Sequence, residues 1–312
     1  MQMHRRISGV SVIIPTLNAM PYVQNALNSV LCQTWRHFEI IVVDGGSTDG
    51  TVEYVQRLFS SDERIRLIHQ NKGKIGEARN IGIRKARYDW IACLDADDIA
   101  YPEWLASAVR FLEDNPNHVF VSCDTEYINL RGTPTGIRKR HILSDPPNYD
   151  PLVDGNAPHQ GSLYSKEAVL SVGGYRDFPQ GEDYDLFLRL SEHYKLGFLN
   201  KVLTGTRILA NGLTLKGFEE QRIFWMYAKD CAIARRNGKE EPEFEHWLSN
   251  NAERIRKKRR KWAGQRLWTL AGASITEGKV LQALVYGVRA LFVNPKYVIG
   301  KSKTYTVNML RK

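Results

Sequence analysis

From Val10 to about Asn115 the chain alternates short β-branched apolar runs with longer stretches whose apolar residues recur every three to four positions. Val10-Ser11-Val12-Ile13-Ile14, halted at Pro15, predicts a strand. Tyr22, Ala26, Leu27, Val30 and Leu31 then share one face of a helix over Tyr22 to Gln33. Phe38 to Val43 predicts a second strand and Thr51 to Phe59 a helix. Ile65 to His69 predicts a third strand and Glu77 to about Ala86 a helix. Trp90-Ile91-Ala92-Cys93-Leu94 is a fourth buried strand, after which Pro102 opens a helix to about Asn115. Four such repeats predict the α/β class, with a Rossmann-like, mostly parallel sheet and helices on both faces.

In a parallel sheet the loops after Ile14, Val43, His69 and Leu94 share one edge, where open α/β sheets bind ligands. The richest is Leu94-Asp95-Ala96-Asp97-Asp98. If the extended geometry persists, Asp95 and Asp97 point the same way. Two convergent carboxylates repel unless a cation or proton is shared, and hard oxygen ligands suit Mg²⁺ or Mn²⁺, with substrate phosphates and water completing the shell. An acidic turn capping the next helix is the competing reading. Asp44, fixed on a strand end before Gly45-Gly46, suits a uracil N–H or a ribose hydroxyl, or else the turn itself; Asp49 or Thr51 suits the cap of the next helix. Arg79, one turn into a helix, is in reach of a diphosphate, with Lys72 and Lys74 adding charge or lying on a solvated face.

Composition locates the charge. The 312 residues carry a net charge of +10, yet from Asn251 onward there are 15 Lys/Arg against 2 Asp/Glu, leaving 29 against 32 before it. The core is thus slightly acidic and the basicity belongs to the C-terminal part, which argues against a nucleic-acid partner. Cys32, Cys93, Cys123 and Cys231 form no metal pattern; Cys32 and Cys93 read as core residues in a reducing compartment. With no apolar leader at Met1 to Gly9 and no run of about 18 apolar residues, a cytoplasmic protein is expected. A basic helix over Glu253 to Trp268, with Trp262 and Trp268, lies beside an apolar helix over Val280 to Val293. The pair suits peripheral attachment to the cytoplasmic face of an anionic membrane, the competing reading being a solvated helical face.

Five ordered pieces carry a resemblance: Ile13-Ile14-Pro15-Thr16-Leu17-Asn18, Val43-Asp44-Gly45-Gly46-Ser47-Thr48-Asp49, Gly76-Glu77-Ala78-Arg79-Asn80-Ile81-Gly82, Leu94-Asp95-Ala96-Asp97-Asp98, and Gly173-Gly174-Tyr175 with Gly181-Glu182-Asp183-Tyr184-Asp185-Leu186. Over roughly 10–214 the chain resembles the family 2 inverting glycosyltransferases of GT-A fold. The resemblance implies a GT-A domain over 1–214, with a nucleotide-sugar half at about 10–115 and an acceptor half at about 116–214, followed by a basic helical extension over 215–312. It implies that Pro15, Thr16 and Asn18 line the nucleotide pocket, that Asp44 contacts the base, and that Arg79 lies near the phosphates. Asp95 approaches the ribose or sugar and Asp97 holds the divalent cation. Asp183 matches the general base, with Glu182 its rival, and His159 and Gln160 fall in the acceptor-side segment. Asp185 is expected to pair with Arg189, and the polar 132–151 segment, with Lys139-Arg140-His141, to be a flap or a surface loop. Two departures stand out: Gly45 replaces a common second Asp, and Thr206-Arg207-Ile208-Leu209 lacks the His of the corresponding family element, which leaves a third protein ligand for the metal in doubt. The expected activity is metal-dependent, inverting transfer of a sugar from a UDP- or dTDP-sugar to a hydroxyl of a glycan or lipid-linked acceptor, in polysaccharide or glycolipid assembly. A nucleotidyltransferase and a non-catalytic nucleotide-sugar-binding protein are the alternatives.

Overall fold

The first apolar run forms strand β1 (Val10–Thr16), every residue of which is buried, as a parallel strand covered on both faces requires. It pairs in parallel with β2 (Phe38–Asp44) on one side and β4 (Trp90–Cys93) on the other, and β2 pairs with β3 (Ile65–His69). The order β3-β2-β1-β4 reverses beside β1, so the gap between the carboxyl ends of β1 and β4 is the topological switch point. β1 runs two residues past the expected stop at Ile14. Its ladder to β4 ends at Ile13 opposite Cys93, while that to β2 continues to Thr16 opposite Asp44. The Ile13 carbonyl faces β4, accepting from Leu94 N at 3.1 Å. The missing N–H of Pro15, two residues on, therefore faces the side where no strand remains, and costs no ladder bond.

The computed structural model describes residues 6–71, 73–138, 142–144 and 147–301; Lys72 and Lys139-Arg140-His141 lie outside the described residues. Helices α1 (Tyr22–Leu31), α2 (Thr51–Phe59) and α3 (Ile75–Lys85) connect the first strands, and α4 (Trp104–Asp114) follows the two-residue β5 (Ile99–Ala100). Alternation along β1 sends Val10, Val12 and Ile14 into a core with Val23, Leu27 and Val30 of α1 and Trp104, Leu105 and Val109 of α4. Ile13, Ile41, Val43 and Cys93 meet Ala78 and Ile83 of α3 on the other face. Each fully buried aliphatic side chain contributes about 1.5–3 kcal/mol, so both layers hold the switch point rigid. α3 rides so close to β1 that a Cβ at Gly82 would lie 2.7 Å from Ile13 Cγ2.

The sequence pattern assigns no strand after Leu94; beyond β5 the described residues hold β6 (His118–Ile128), β7 (Pro134–Arg138), β8 (Asn148–Tyr149), β9 (Leu163–Ser165) and β10 (Lys195–Arg207). β9 inserts antiparallel between β4 and β6, and β10 runs parallel to β6, so the sheet is mixed. Between these strands lie α5 (Pro151–Asp154), a 3₁₀ turn (His159–Gly161), α6 (Lys166–Ser171) and α7 (Glu182–Ser191). Leu186, Phe187 and Leu190 of α7 join the α3 layer. The expected pair of Asp185 and Arg189 forms at 2.7 Å, buried on both sides. Cys32 departs from expectation: it caps the carboxyl end of α1 and is exposed, just past the helix's buried face.

The chain divides into two compact units, Met1–Arg207 and Ile208–Lys312. The second is built of α8 (Leu213–Lys216), α9 (Phe218–Arg236), α10 (Phe244–Asn250), α11 (Ala252–Thr276) and α12 (Val280–Val293). Phe244 stacks on Phe224 at 4.8 Å and meets Tyr227 edge-on at 5.1 Å, joining α10 to α9. Trp262 is only 7% exposed, so this tryptophan of the basic helix is a packing residue rather than a surface anchor. No helix among the described residues is long and apolar enough to cross a membrane.

Candidate active site

The loops after β1 and β2 are stitched together at the sheet edge. Asn18, at φ 49°, donates its backbone N–H to Ser47 Oγ at 2.8 Å and accepts from Thr48 N through Oδ1 at 2.8 Å. Asp49 accepts from Met20 N and from the Thr51 hydroxyl, so it ties the loops while shaping the start of α2. Asp44 is buried. Its Oδ2 accepts from Gly46 N at 2.9 Å and Ser47 N at 3.0 Å, and its Oδ1 from Thr16 Oγ1 at 3.3 Å. As the structure stands, Asp44 braces the turn. The turn leaves an open cavity of about 470 Å³ lined by Gly45, Gly46, Gln70 and Asn71.

At the end of β4 the chain turns rather than continuing extended: Asp98 N donates to the Asp95 carbonyl at 3.0 Å. The alternation survives in exposure, since Asp95 and Asp97 stay partly open while Ala96 and Asp98 are buried. Asp98 accepts from Arg207 N at 2.8 Å, tying β10 to this turn. Burial, then the neighbouring Asp95 charge, pushes the Asp97 carboxyl up to about 6. Burial, then Asp97, raises Asp98 well above the carboxylate range. Among the described residues the Asp97 carboxylate is bonded by its own backbone N–H, leaving oxygen lone pairs for a ligand. The hard oxygen donors of Asp97 and the neighbouring Asp95 fit Mg²⁺ or Mn²⁺. Among the described residues no group of three His, Cys, Asp or Glu is arranged to hold a metal, so a cation here would draw its remaining ligands from substrate and water.

Arg79 links this turn to α7. It is 3% exposed, donates Nη2 to Asp95 Oδ1 at 2.9 Å and Nη1 to Glu182 Oε1, and lies 5.5 Å from the Tyr175 ring centre. It is therefore committed to two carboxylates. Gly181, at φ 81°, caps the amino end of α7, a conformation open to glycine that turns the next two side chains to the sheet edge. Asp183, partly exposed, accepts from Asn156 Nδ2 at 2.8 Å and from Tyr184 N at 2.8 Å. Burial raises its carboxyl above the usual range, against the Asn156 hydrogen bond. Burial also raises Glu182, with Arg79 opposing.

His159 and Gln160 are buried. His159 Nε2 meets Tyr175 OH at 2.6 Å, which meets Tyr164 OH at 2.9 Å, and Gln160 bonds Thr206 Oγ1. Burial, then the Arg79 charge, lowers His159 well below its usual value and keeps it neutral. Both residues are occupied inside the chain. Three residues to which the sequence reading gave no role belong to this site: Asn156, which orients Asp183; Tyr175, which supports Arg79; and Arg207. Arg207 is 4% exposed, stacks 4.6 Å from the Tyr22 ring centre, and leaves Nε and Nη2 without hydrogen-bond partners among the described residues. Those two donors form the edge that binds carboxylate or phosphate bidentately. Arg207 sits in a segment already singled out by sequence and Asn156 lies three residues before His159, but nothing local signals their partners, Asp98 and Asp183.

The partly open acids Asp95, Asp97 and Asp183 thus lie near one another, Asp97 beside the Asp95 charge and Asp183 within reach of the Arg79 and Asp95 charges, while Asp44, Asp98, Glu182 and Asp185 are shut inside. The chondroitin synthase of Pasteurella multocida is 27% identical over 220 residues, covering 70% of this chain and 22% of that protein. The chain spans about a fifth to a third of the length of such relatives. Staphylococcus aureus TarS 1–349, solved in complex with UDP-GlcNAc, superposes with a TM-score of 0.57 at 17% identity, covering 91% of both chains. The mannosyltransferase PcManGT of Pyrobaculum calidifontis, solved with GDP-Man and Mn²⁺, gives 0.60 at 20% identity, covering 98% of this chain and 81% of that one. These likenesses establish the GT-A fold. Residues 11–172 match the model of glycosyl transferase family 2, and the chain belongs to that family.

Proposed function

We propose that this protein transfers a sugar from a nucleoside diphosphate sugar to a hydroxyl of a glycan or lipid-linked acceptor, with inversion at the anomeric carbon, in polysaccharide or glycolipid assembly. The observation that carries the reading is the pairing of Asp95 with Asp97 at the switch point, with Asp183 held by Asn156 within reach of the Asp95 and Arg79 charges. The nucleotide-sugar ligands of TarS and PcManGT support the donor class, and the chondroitin synthase relative supports a glycan acceptor. A UDP- or dTDP-sugar is favoured, its base entering the cavity beside Gly45 and Gly46, where Asp44 shapes the wall. Pro15, Thr16 and Asn18 line the same edge.

Asp97 and Asp95 would hold Mg²⁺ or Mn²⁺, which when bound neutralises the charge of the departing diphosphate. Arg207, whose charge acts on Asp97 and Asp98, adds a fixed cation near the same phosphates. Asp183 takes the proton of the acceptor hydroxyl as that oxygen attacks the anomeric carbon. The carbon–oxygen bond to the diphosphate breaks, and its electron pair leaves with the nucleoside diphosphate. Asp183 is favoured over Glu182 because Glu182 is buried and already neutralised by Arg79. A carboxyl raised toward neutrality is also the better proton acceptor. Exposed basic residues of 253–268 support peripheral contact of the second unit with an anionic membrane, on the cytoplasmic side.

The test is nucleoside diphosphate release from a donor panel with glycan acceptors, and the anomeric configuration of the product by NMR. Asp183→Asn should lower kcat about 10²–10⁴-fold with little change in donor KM. A retained anomeric configuration, or an Asp183→Asn variant within about threefold of wild type, would remove Asp183 from the role.

A further inference from the structure

Helix α12 is assembled with its polarity reversed. Its buried residues are Ala283 and Ala290, while Val280, Leu281, Leu284, Val285, Val288, Leu291 and Phe292 are 43–82% exposed. At 3.6 residues per turn those seven side chains occupy an arc of about 140°, on the side away from Ala283 and Ala290. Small residues facing the neighbouring helix and large apolar ones facing outward is the pattern of helices solvated by lipid. In water such a contiguous apolar face calls for a partner. At about 1.5 Å per residue, the 14 residues of α12 span about 21 Å, short of a bilayer core of about 30 Å, so the helix lies along a surface rather than crossing it.

The neighbouring helix supplies the matching charge. Arg260 Nε donates to the Val293 carbonyl at 2.8 Å, which sets the basic stretch of α11 beside the end of α12 that exposes Leu291 and Phe292. In that stretch Arg254, Lys257 and Arg259 are paired with Asp230, Glu253 and Glu219. Arg256, Lys258 and Lys261 are exposed and in none of these pairs. We infer that α12 beds its Val280–Phe292 face into the boundary between headgroups and acyl chains of an anionic lipid surface, with Lys258 and Lys261, which share a face of α11, at the headgroups. This rests on the peripheral membrane contact proposed above and moves the apolar anchor from Trp262, which is buried, to α12. A second copy on the same face would bring two such basic clusters together, which anionic lipid neutralises and self-pairing does not.

The experiment uses the full chain with phosphatidylcholine vesicles containing or lacking phosphatidylglycerol, and an environment-sensitive dye on Leu281→Cys in a Cys32→Ser background, since Cys32 is exposed. The inference expects binding to the anionic vesicles, a blue shift of the dye, and at least about a tenfold weaker partition for the Leu281→Glu/Phe292→Glu double variant. Gln282→Glu, on the polar side of α12, should bind as wild type. All these side chains are exposed, and circular dichroism is the check that each variant folds. Binding that is lost in Lys258→Gln/Lys261→Gln but unchanged in Leu281→Glu/Phe292→Glu, with no dye shift, overturns the role of α12 and leaves the charge-driven contact standing. No binding to either vesicle overturns both. A wild-type dimer in light scattering that Leu281→Glu/Phe292→Glu converts to monomer, without vesicle binding, assigns the face to a second copy and overturns the inference.

Discussion

Replacing Arg79 by methionine removes the cation held between Asp95 and Glu182. The two partners differ in what they lose. The Asp95 side chain is 31% exposed and can be rehydrated, so that half of the bridge is worth little. The Glu182 side chain is 9% exposed, and breaking a buried pair costs about 3–5 kcal/mol because a charge is left behind. Loss of the Tyr175 ring contact adds about 0.5–1 kcal/mol. The sum is roughly 3.5–6 kcal/mol, and at about 2–4 °C per kcal/mol for a unit of this size the melting temperature falls by roughly 7–24 °C near pH 7.5. The pH dependence has a definite sign. Burial already raises the Glu182 carboxyl and Arg79 opposes that, so in Arg79→Met it rises further. A carboxyl raised in the folded state weakens folding as pH climbs from its unfolded pKa through its folded one, so the deficit is large near pH 7.5 and shrinks toward about pH 4.5. Glu182→Gln in the same chain should recover most of the loss near pH 7.5. Thermal melts of the full chain and its variants at the two pH values measure this. A deficit below about 1 kcal/mol, or one that Glu182→Gln does not relieve, would refute the buried bridge as what holds α7 to the sheet edge.

Three further outcomes follow from the same geometry. Asp97 is raised from 3.8 to about 6, a shift of about two units. Asp97→Asn should therefore stabilise the EDTA-treated protein by up to about 3 kcal/mol above pH 6, with the gain fading to nothing below pH 3.8, in urea denaturation. Asn156→Ala removes a hydrogen bond that lowers the Asp183 carboxyl, so the acidic limb of the kcat/KM profile should move to higher pH. Gly82→Ala gains about 1 kcal/mol of helix propensity but drives a methyl into Ile13 at a cost of about 1–3 kcal/mol, and should lose up to about 2 kcal/mol net in the same denaturation assay.

Much of the first half of the domain is legible in the sequence because it is written locally. β3 and α2 fall on the residues their apolar periodicity marks, and α12 runs over Val280–Val293 as read. Strand ends carrying Pro15, Asp44 and Asp95 fall on one edge by the topology of strand–helix alternation alone. What escapes is written at long range. β9 contributes three residues, Leu163–Ser165, and is a strand only because β4 and β6 flank it. Arg79 and Glu182 lie 103 positions apart, so a sequence reading that aims Arg79 at a diphosphate does not see that two carboxylates already hold it. Asn156 and Asp183, 27 positions apart, are hidden for the same reason. The burial of Trp262 is likewise a packing outcome: seven basic residues from Arg254 to Lys261 announce an exposed helix face but do not say which way the following tryptophan turns.

The central claim is that Asp97 and Asp95 hold a divalent cation together with the diphosphate of the donor. The most direct measurement is the thermal shift of the full chain with UDP, dTDP, GDP and CMP, each with Mn²⁺ or with EDTA. A nucleotide at about 100 times its Kd should stabilise the protein by about 2.7 kcal/mol. The account predicts that this shift occurs for a uracil or thymine nucleotide, requires Mn²⁺, and vanishes in Asp97→Ala. An equal shift in EDTA, or one that persists in Asp97→Ala, would contradict it.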